Sequence, residues 1–134
     1  KPAMNRLRRE IRSSLHDLEL PADGSRSARF RFPADFVGFQ GHFPGQPVLP
    51  GICLVLAALA LAEAPGGATL RLLEVVSAKF TAPAGAGEDL RAECRTAEEE
   101  GGSLHLRAVF LRGSDKVARL ELRARRAAPG EAAS

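Results

Sequence analysis

Thirteen residues from Phe39 to Gly51, FQGHFPGQPVLPG, carry one histidine, three prolines and three glycines. Such a stretch makes a poor core element and a good ligand loop. Pro44, Pro47 and Pro50 fix φ and remove three hydrogen-bond donors, which holds the backbone extended. His42 offers an imidazole, the commonest general base near neutral pH. Gly51 opens the apolar run that follows and lets a ligand approach the first N–H groups of a helix closely. The stretch thus aims backbone N–H groups and one imidazole at a ligand. Gly51 reads equally well as a helix-entry glycine with no chemical task.

Several elements must position this loop. Gly51 to Ala64 has the composition of a helix with no polar face, which predicts burial all round. Pro65-Gly66-Gly67 stops it. Phe36 and Phe39 are the expected anchors of the approach. Upstream, Met4 to Ser13 shows Leu7 and Ile11 at i, i+4 spacing, a short amphipathic helix. Leu15 to Phe32 reads as a β-hairpin turned at Pro21 to Ser25, with Ala28, Phe30 and Phe32 inward. Downstream, Leu70 to Phe80, Leu90 to Arg95, Leu104 to Phe110 and Val117 to Ala124 alternate as strands, with an irregularity near Leu73-Glu74-Val75. Glu98 to Gly102 is a solvated hairpin tip. His16 and His105 sit in strand patterns and read as structural or surface residues. Asp35 and Glu74 have no place fixed by the sequence. The order of hairpin, helix and four antiparallel strands is α+β. It forms one domain over residues 4–126, without repeat or linker. Lys1 to Ala3 read as a vector-derived remnant and residues 127–134 as a flexible tail.

The run Gly41-His42-Phe43-Pro44-Gly45-Gln46-Pro47-Val48-Leu49-Pro50-Gly51 resembles the signature loop of the hotdog-fold 3-hydroxyacyl-ACP dehydratases of fatty acid synthesis. It is equally similar to their dehydratase-like relatives in aryl polyene gene clusters. Ser77-Ala78-Lys79-Phe80, Pro83 and Gly87-Glu88-Asp89-Leu90 extend the likeness, which spans roughly Ser27 to Arg125. The resemblance implies a hotdog fold, in which an antiparallel sheet wraps one long central helix. It implies that His42 is the catalytic base and that the Gly51 N–H stabilises the enolate. Phe43, Pro50, Ile52, Val55 and Leu56 would then line an apolar acyl tunnel. It also implies a dimer whose active sites lie at the interface. The family places a Glu or Asp on the central helix to protonate the departing hydroxyl. At that position this chain has Leu56, and Ala60 replaces a common Gln four residues later. Glu63 lies on the same helix face but roughly 10 Å further along, and reads as a polar helix end.

Three functions follow as expectations. The first is a dehydratase-like enzyme for acyl-carrier-protein thioesters in fatty acid or polyketide synthesis. The second is a half-catalytic subunit completed by a second hotdog chain, and the third is an acyl-binding or thioesterase-like module. The formal net charge of +3 favours an acidic partner such as acyl carrier protein, and equally describes an arginine-rich soluble surface. No aromatic residues interleave with basic clusters, which argues against nucleic acid. Cys53 and Cys94 fall in buried patterns and read as free thiols rather than a bridge or metal site. No cofactor or metal is expected. The apolar run Ile52 to Ala62 is too short for a membrane span, and with no signal peptide in view a reducing cytoplasm is expected.

Overall fold

The computed structural model describes residues 2–40, 48–63, 68–128, 130 and 131, with side chains from Arg6 onward in the first helix. Helix α1 (Pro2–Ser13) leads into strands β1 (Leu15–Glu19) and β2 (Arg26–Phe30). A single 3-10 turn (Val37–Phe39) precedes the central helix α2 (Gly51–Glu63). Strands β3 (Leu70–Phe80), β4 (Leu90–Glu98), β5 (Leu104–Arg112) and β6 (Asp115–Arg126) complete the chain. All six strands join one sheet in the order β1-β2-β4-β5-β6-β3, and every described neighbour pair is antiparallel. Helix α2 packs against the sheet at β2, β3 and β4. The hairpin and the four-strand run are as expected, although Phe32 continues the buried side beyond the end of β2. Helix α1 begins two residues before Met4.

Alternation decides which face of the sheet is dry. Leu90 and Ala92 on β4, Leu106 and Phe110 on β5, and Leu120, Leu122 and Ala124 on β6 are buried. Their chain neighbours Arg91, Arg107 and Arg119 are exposed on the opposite face. Within α2, Cys53 to Leu61 are all buried. One position departs from the expectation of all-round burial. Ile52, in the first turn, is 48% exposed.

The far end of α2 carries a buried ionic cluster. Arg8 of α1 is only 3% exposed, and its Nη2 donates to Glu63 Oε2 at 2.8 Å. Arg12 Nη2 donates to Glu63 Oε1 at 3.2 Å, and the backbone N–H of Leu70 donates to Oε2 at 2.8 Å. One carboxylate thus ties together α1, α2 and the start of β3. Burial lowers the Arg8 pKa and the adjacent Glu63 charge opposes that shift. Beyond β6, the segment expected to be a tail carries an anchor of its own. Glu131 accepts from Arg125 at 3.0 and 2.6 Å, which holds its carboxyl down at about 2.

Glu63→Ala leaves the Arg8 guanidinium buried without its counter-charge. It should cost about 3–5 kcal/mol in urea denaturation. Arg8→Met combined with Glu63→Leu should recover most of that loss. An equal loss in the single and double variants would show that the cluster contributes packing rather than charge.

Candidate functional site

Two fixed points flank the loop. On its N-terminal side, phenylalanine rings run from the sheet to the 3-10 turn. Phe110 meets Phe30 at 6.1 Å between centroids, Phe30 meets Phe32 at 6.0 Å, Phe32 meets Phe36 at 4.7 Å and Phe36 meets Phe39 at 5.5 Å. Phe36 and Phe39 are both buried, as anchors should be. Glu10 of α1 accepts the Val37 N–H at 2.9 Å, and this bond is the main reason its carboxyl titrates below the usual range. On the other side, Leu49 N–H donates to Ala84 O at 2.8 Å and Val48 bridges Gly85. The turn receiving them is itself braced, since Arg112 Nη1 donates to Pro83 O at 2.6 Å and to Glu88 Oε1 at 2.9 Å. His42 and Phe43 lie outside the described residues.

Helix α2 begins where the loop ends. Cys53 N–H donates to Pro50 O at 2.9 Å, and the earlier N–H groups at Gly51 and Ile52 have no intrahelical acceptor. Gly51 borders a groove of about 380 Å³ whose walls include Val48, Leu54, Phe80, Pro83 and Ala84. The Phe80 ring stands over Gly51 so closely that a Cβ there would come within 2.7 Å of Phe80 Cζ. This apolar groove with a helix start at its rim has the size of a small-ligand site. A larger hollow of about 520 Å³ lies on the outer face of β4, β5 and β6. It is lined by charged groups such as Arg95, Arg107 and Glu121 and holds no helix terminus.

The expected site residues separate around the helix. Pro50 and Gly51 are half-buried and sit at the loop's end, and Ile52 points outward. Leu56 is 3% exposed and Val55 is likewise closed in the core. At 100° per residue, Leu54 stands about 60° from Gly51 around the axis, and Leu56 about 140° away in the other sense. In the isolated chain the groove therefore follows Leu54 and Phe80. Phe80 had no site role in the sequence reading. Its strand pattern was visible, but its contact with Gly51 joins residues far apart in the chain.

The carboxylates are placed as well. Glu63 is fully engaged with Arg8, Arg12 and the Leu70 N–H. Glu74 stands exposed on β3 with Arg123 Nη1 at 3.4 Å. Asp35 lies in an exposed turn before the loop. Among the described residues, no group of three or more His, Cys, Asp or Glu is arranged to hold a metal ion. No helix there is long and apolar enough to cross a membrane. Cys53 and Cys94 are free and buried, and burial pushes each thiol up to about 11.

Two glycines should answer substitution differently. A Cβ at Gly38 would lie 2.4 Å from Phe36 Cε2 and 2.8 Å from Cys53 Sγ, both buried. Gly38→Ala should therefore cost about 1–3 kcal/mol by overpacking. Gly51→Ala meets only the half-exposed Phe80 ring, so its melting temperature should change little while the groove reshapes. The thiols give a pH test. A thiol is neutral below its pKa, so a folded value near 11 against an ordinary value near 9 stabilises the fold below pH 9. That contribution is lost as pH rises from 9 towards 11. A double Cys→Ala variant should flatten the decline, and rapid labelling of the native thiols at pH 8 would contradict their burial.

A family model described as ApeI-like, ApeI dehydratase, matches residues 19–118. The 3-hydroxyacyl-[acyl-carrier-protein] dehydratase FabZ of Gluconobacter oxydans is 37% identical over 62 residues, 40% of this chain and 37% of that protein. FabZ of Caulobacter sp. strain K31 is 33% identical over 89 residues, 60% of this chain and 54% of that protein. The matched segments thus span about two fifths to one half of these relatives. A solved structure of the dehydratase heterocomplex ApeI:P from Xenorhabdus doucetiae superposes with a TM-score of 0.65 at 22% identity, covering 84% of this chain and 96% of that one. That likeness carries the fold, a hotdog sheet around a helix. The match over residues 19–118 takes in the phenylalanine series, the loop, all of α2 and its groove, and this chain belongs to the ApeI-like dehydratase family.

Proposed function

We propose that this protein acts on 3-hydroxyacyl thioesters of acyl carrier protein, eliminating water to give the 2-enoyl thioester. The observation that carries the reading is the start of α2. There Gly51 borders an apolar groove at the end of a loop that contains the sequence's best candidate base. In this reading His42 takes the proton from the carbon beside the thioester carbonyl. The electron pair moves onto the carbonyl oxygen, where the Gly51 N–H and the positive end of the helix stabilise it. The enolate then collapses and expels the 3-hydroxyl group, which needs a proton to leave as water. Phe43, Pro50, Ile52, Val55 and Leu56 are the proposed acyl contacts, with Leu54 and Phe80 added by the groove.

Leu56 is where the family's acid would stand. A positioned general acid contributes ~10²–10⁴ in rate, so this chain alone should turn over slowly. A second reading has support from that same position. A partner hotdog chain bearing Glu or Asp would complete the site across the open edge of β3, and one structural neighbour is described as a dehydratase heterocomplex. Either assembly is a dimer. The cytoplasm is the compartment this reading implies.

The test is purified protein with a 3-hydroxyacyl-ACP, followed by the ultraviolet absorbance of the conjugated enoyl thioester. The unmodified chain should be slow or silent. Leu56→Glu should raise the rate by ~10²-fold or more, with the buried carboxyl's pKa raised towards that of a working acid. It should cost about 1–3 kcal/mol of stability, since a polar group replaces an apolar one in the core. His42→Ala in that background should abolish the gain. Turnover by the unmodified homodimer at the rate of its Leu56→Glu variant would overturn the assignment of Leu56 as the missing acid.

A further inference from the structure

The 3-10 turn Val37–Phe39 is the last described element before His42. Its first backbone N–H needs an acceptor, and Phe36, at the N-cap, makes no side-chain capping bond. The acceptor comes from α1, 27 residues earlier in the chain. Glu10 Oε1 takes the Val37 N–H at 2.9 Å, and Arg6 Nε donates to the other carboxylate oxygen at 2.7 Å. The low-titrating Glu10 carboxyl is charged at neutral pH, which strengthens the bond. Two residues to either side of Glu10, Arg8 and Arg12 hold Glu63 at the end of α2. Ile11, beside it, is buried in the core. One helix is therefore tied both to the end of α2 and to the turn that leads into the loop.

We infer that Glu10 is a positioning residue for the candidate base, its carboxylate fixing through the Val37 N–H where the loop bearing His42 begins. This role rests on the proposed assignment of His42 as the base. The apolar contacts of Phe36 and Phe39 hold the turn in the core but are non-directional. A charge-assisted hydrogen bond adds direction, and so sets the turn's rotation as well as its place. That orientation is passed along the chain. Gln40 N–H donates to Val37 O at 3.1 Å, so the peptide groups of Val37 and Gln40 are coupled, and Gln40 is two residues from His42. Gly38, between them, leaves little slack, since a Cβ there would lie 2.8 Å from Cys53 Sγ in the first turn of α2. Helix α1 lies ahead of residues 19–118, which the family model matches. The loop shared with the family is thus steadied here from outside the matched segment.

Two substitutions separate the bond from the packing. Glu10→Ala removes the acceptor, whereas Glu10→Gln keeps one, since an amide oxygen can take the Val37 N–H. Both should stay folded, because the contacts of Arg8, Ile11 and Arg12 remain. Amide hydrogen exchange at Val37 should quicken about tenfold or more in Glu10→Ala, with Leu59 and Leu61 in α2 changed far less. The imidazole resonances of His42, assigned by their loss in His42→Ala, should move in Glu10→Ala while those of His105 stay in place. Glu10→Gln should return both signals towards the unmodified protein. Arg6→Ala removes only the partly exposed ion pair and should alter neither. In the Leu56→Glu background, Glu10→Ala should lower kcat about tenfold with KM little changed, and Glu10→Gln should restore it. Unchanged exchange at Val37, an unmoved His42 resonance, or a Gln variant that behaves like Ala would each overturn the inference. The exchange and resonance measurements need no turnover. If they change as stated while Leu56→Glu is inactive, the dehydratase reading fails and the hold of Glu10 on the loop stands.

Discussion

A helix with no polar face is stable in water only if something encloses it on every side. Helix α2 imposes that condition on the rest of the chain. Each buried Leu or Val contributes about 1.5–3 kcal/mol by leaving water, and every side chain of α2 from Cys53 to Leu61 is buried. The curved sheet covers one flank and α1 another, with the phenylalanine series closing the start. The single charge on the helix, Glu63, sits at its last residue and is buried too. Two arginines of α1 and one backbone N–H make that burial tolerable.

The enclosed helix gives the candidate site its fixed frame. Because α2 cannot slide without exposing apolar surface, its first N–H groups stay at one place relative to β3 and the turn at Ala84 and Gly85. The loop is then tied on both sides to elements that already pack against the core. Only the rim is open. Gly51, Phe80 and Ile52 meet solvent at the start of the helix, beside the groove. The same enclosure explains why Leu56 is closed off in the isolated chain, since it faces away from the rim.

The two edges of the sheet differ in how they are managed. Strand β1 is short, with Asp17 and Glu19 exposed along it, which discourages further pairing. Strand β3 is long, with Leu73, Val75, Val76 and Phe80 exposed beside Glu74 and Lys79, and its bulges bring those two charges onto one face. It lies next to the groove because Phe80, its last residue, walls both.

What the sequence determined alone were the features set by local periodicity and backbone chemistry. The apolar run after Gly51 and the Pro-Gly-Gly stop marked α2 because helix amphipathicity, or its absence, is a property of adjacent residues. Alternation marked the strands, the hairpin at Pro21 to Ser25 and the irregularity around Glu74. The loop's composition marked a ligand site and the family that shares it. The fold alone decided which distant residues meet. Arg8 looked like one of several solvated arginines, and only packing of α1 on α2 made it the buried partner of Glu63. Phe80 looked like an ordinary strand residue until β3 lay beside the start of α2. The groove follows Leu54 rather than Leu56 because the sheet closes around one side of the helix, and where a sheet closes depends on pairings between strands that the sequence does not hold side by side.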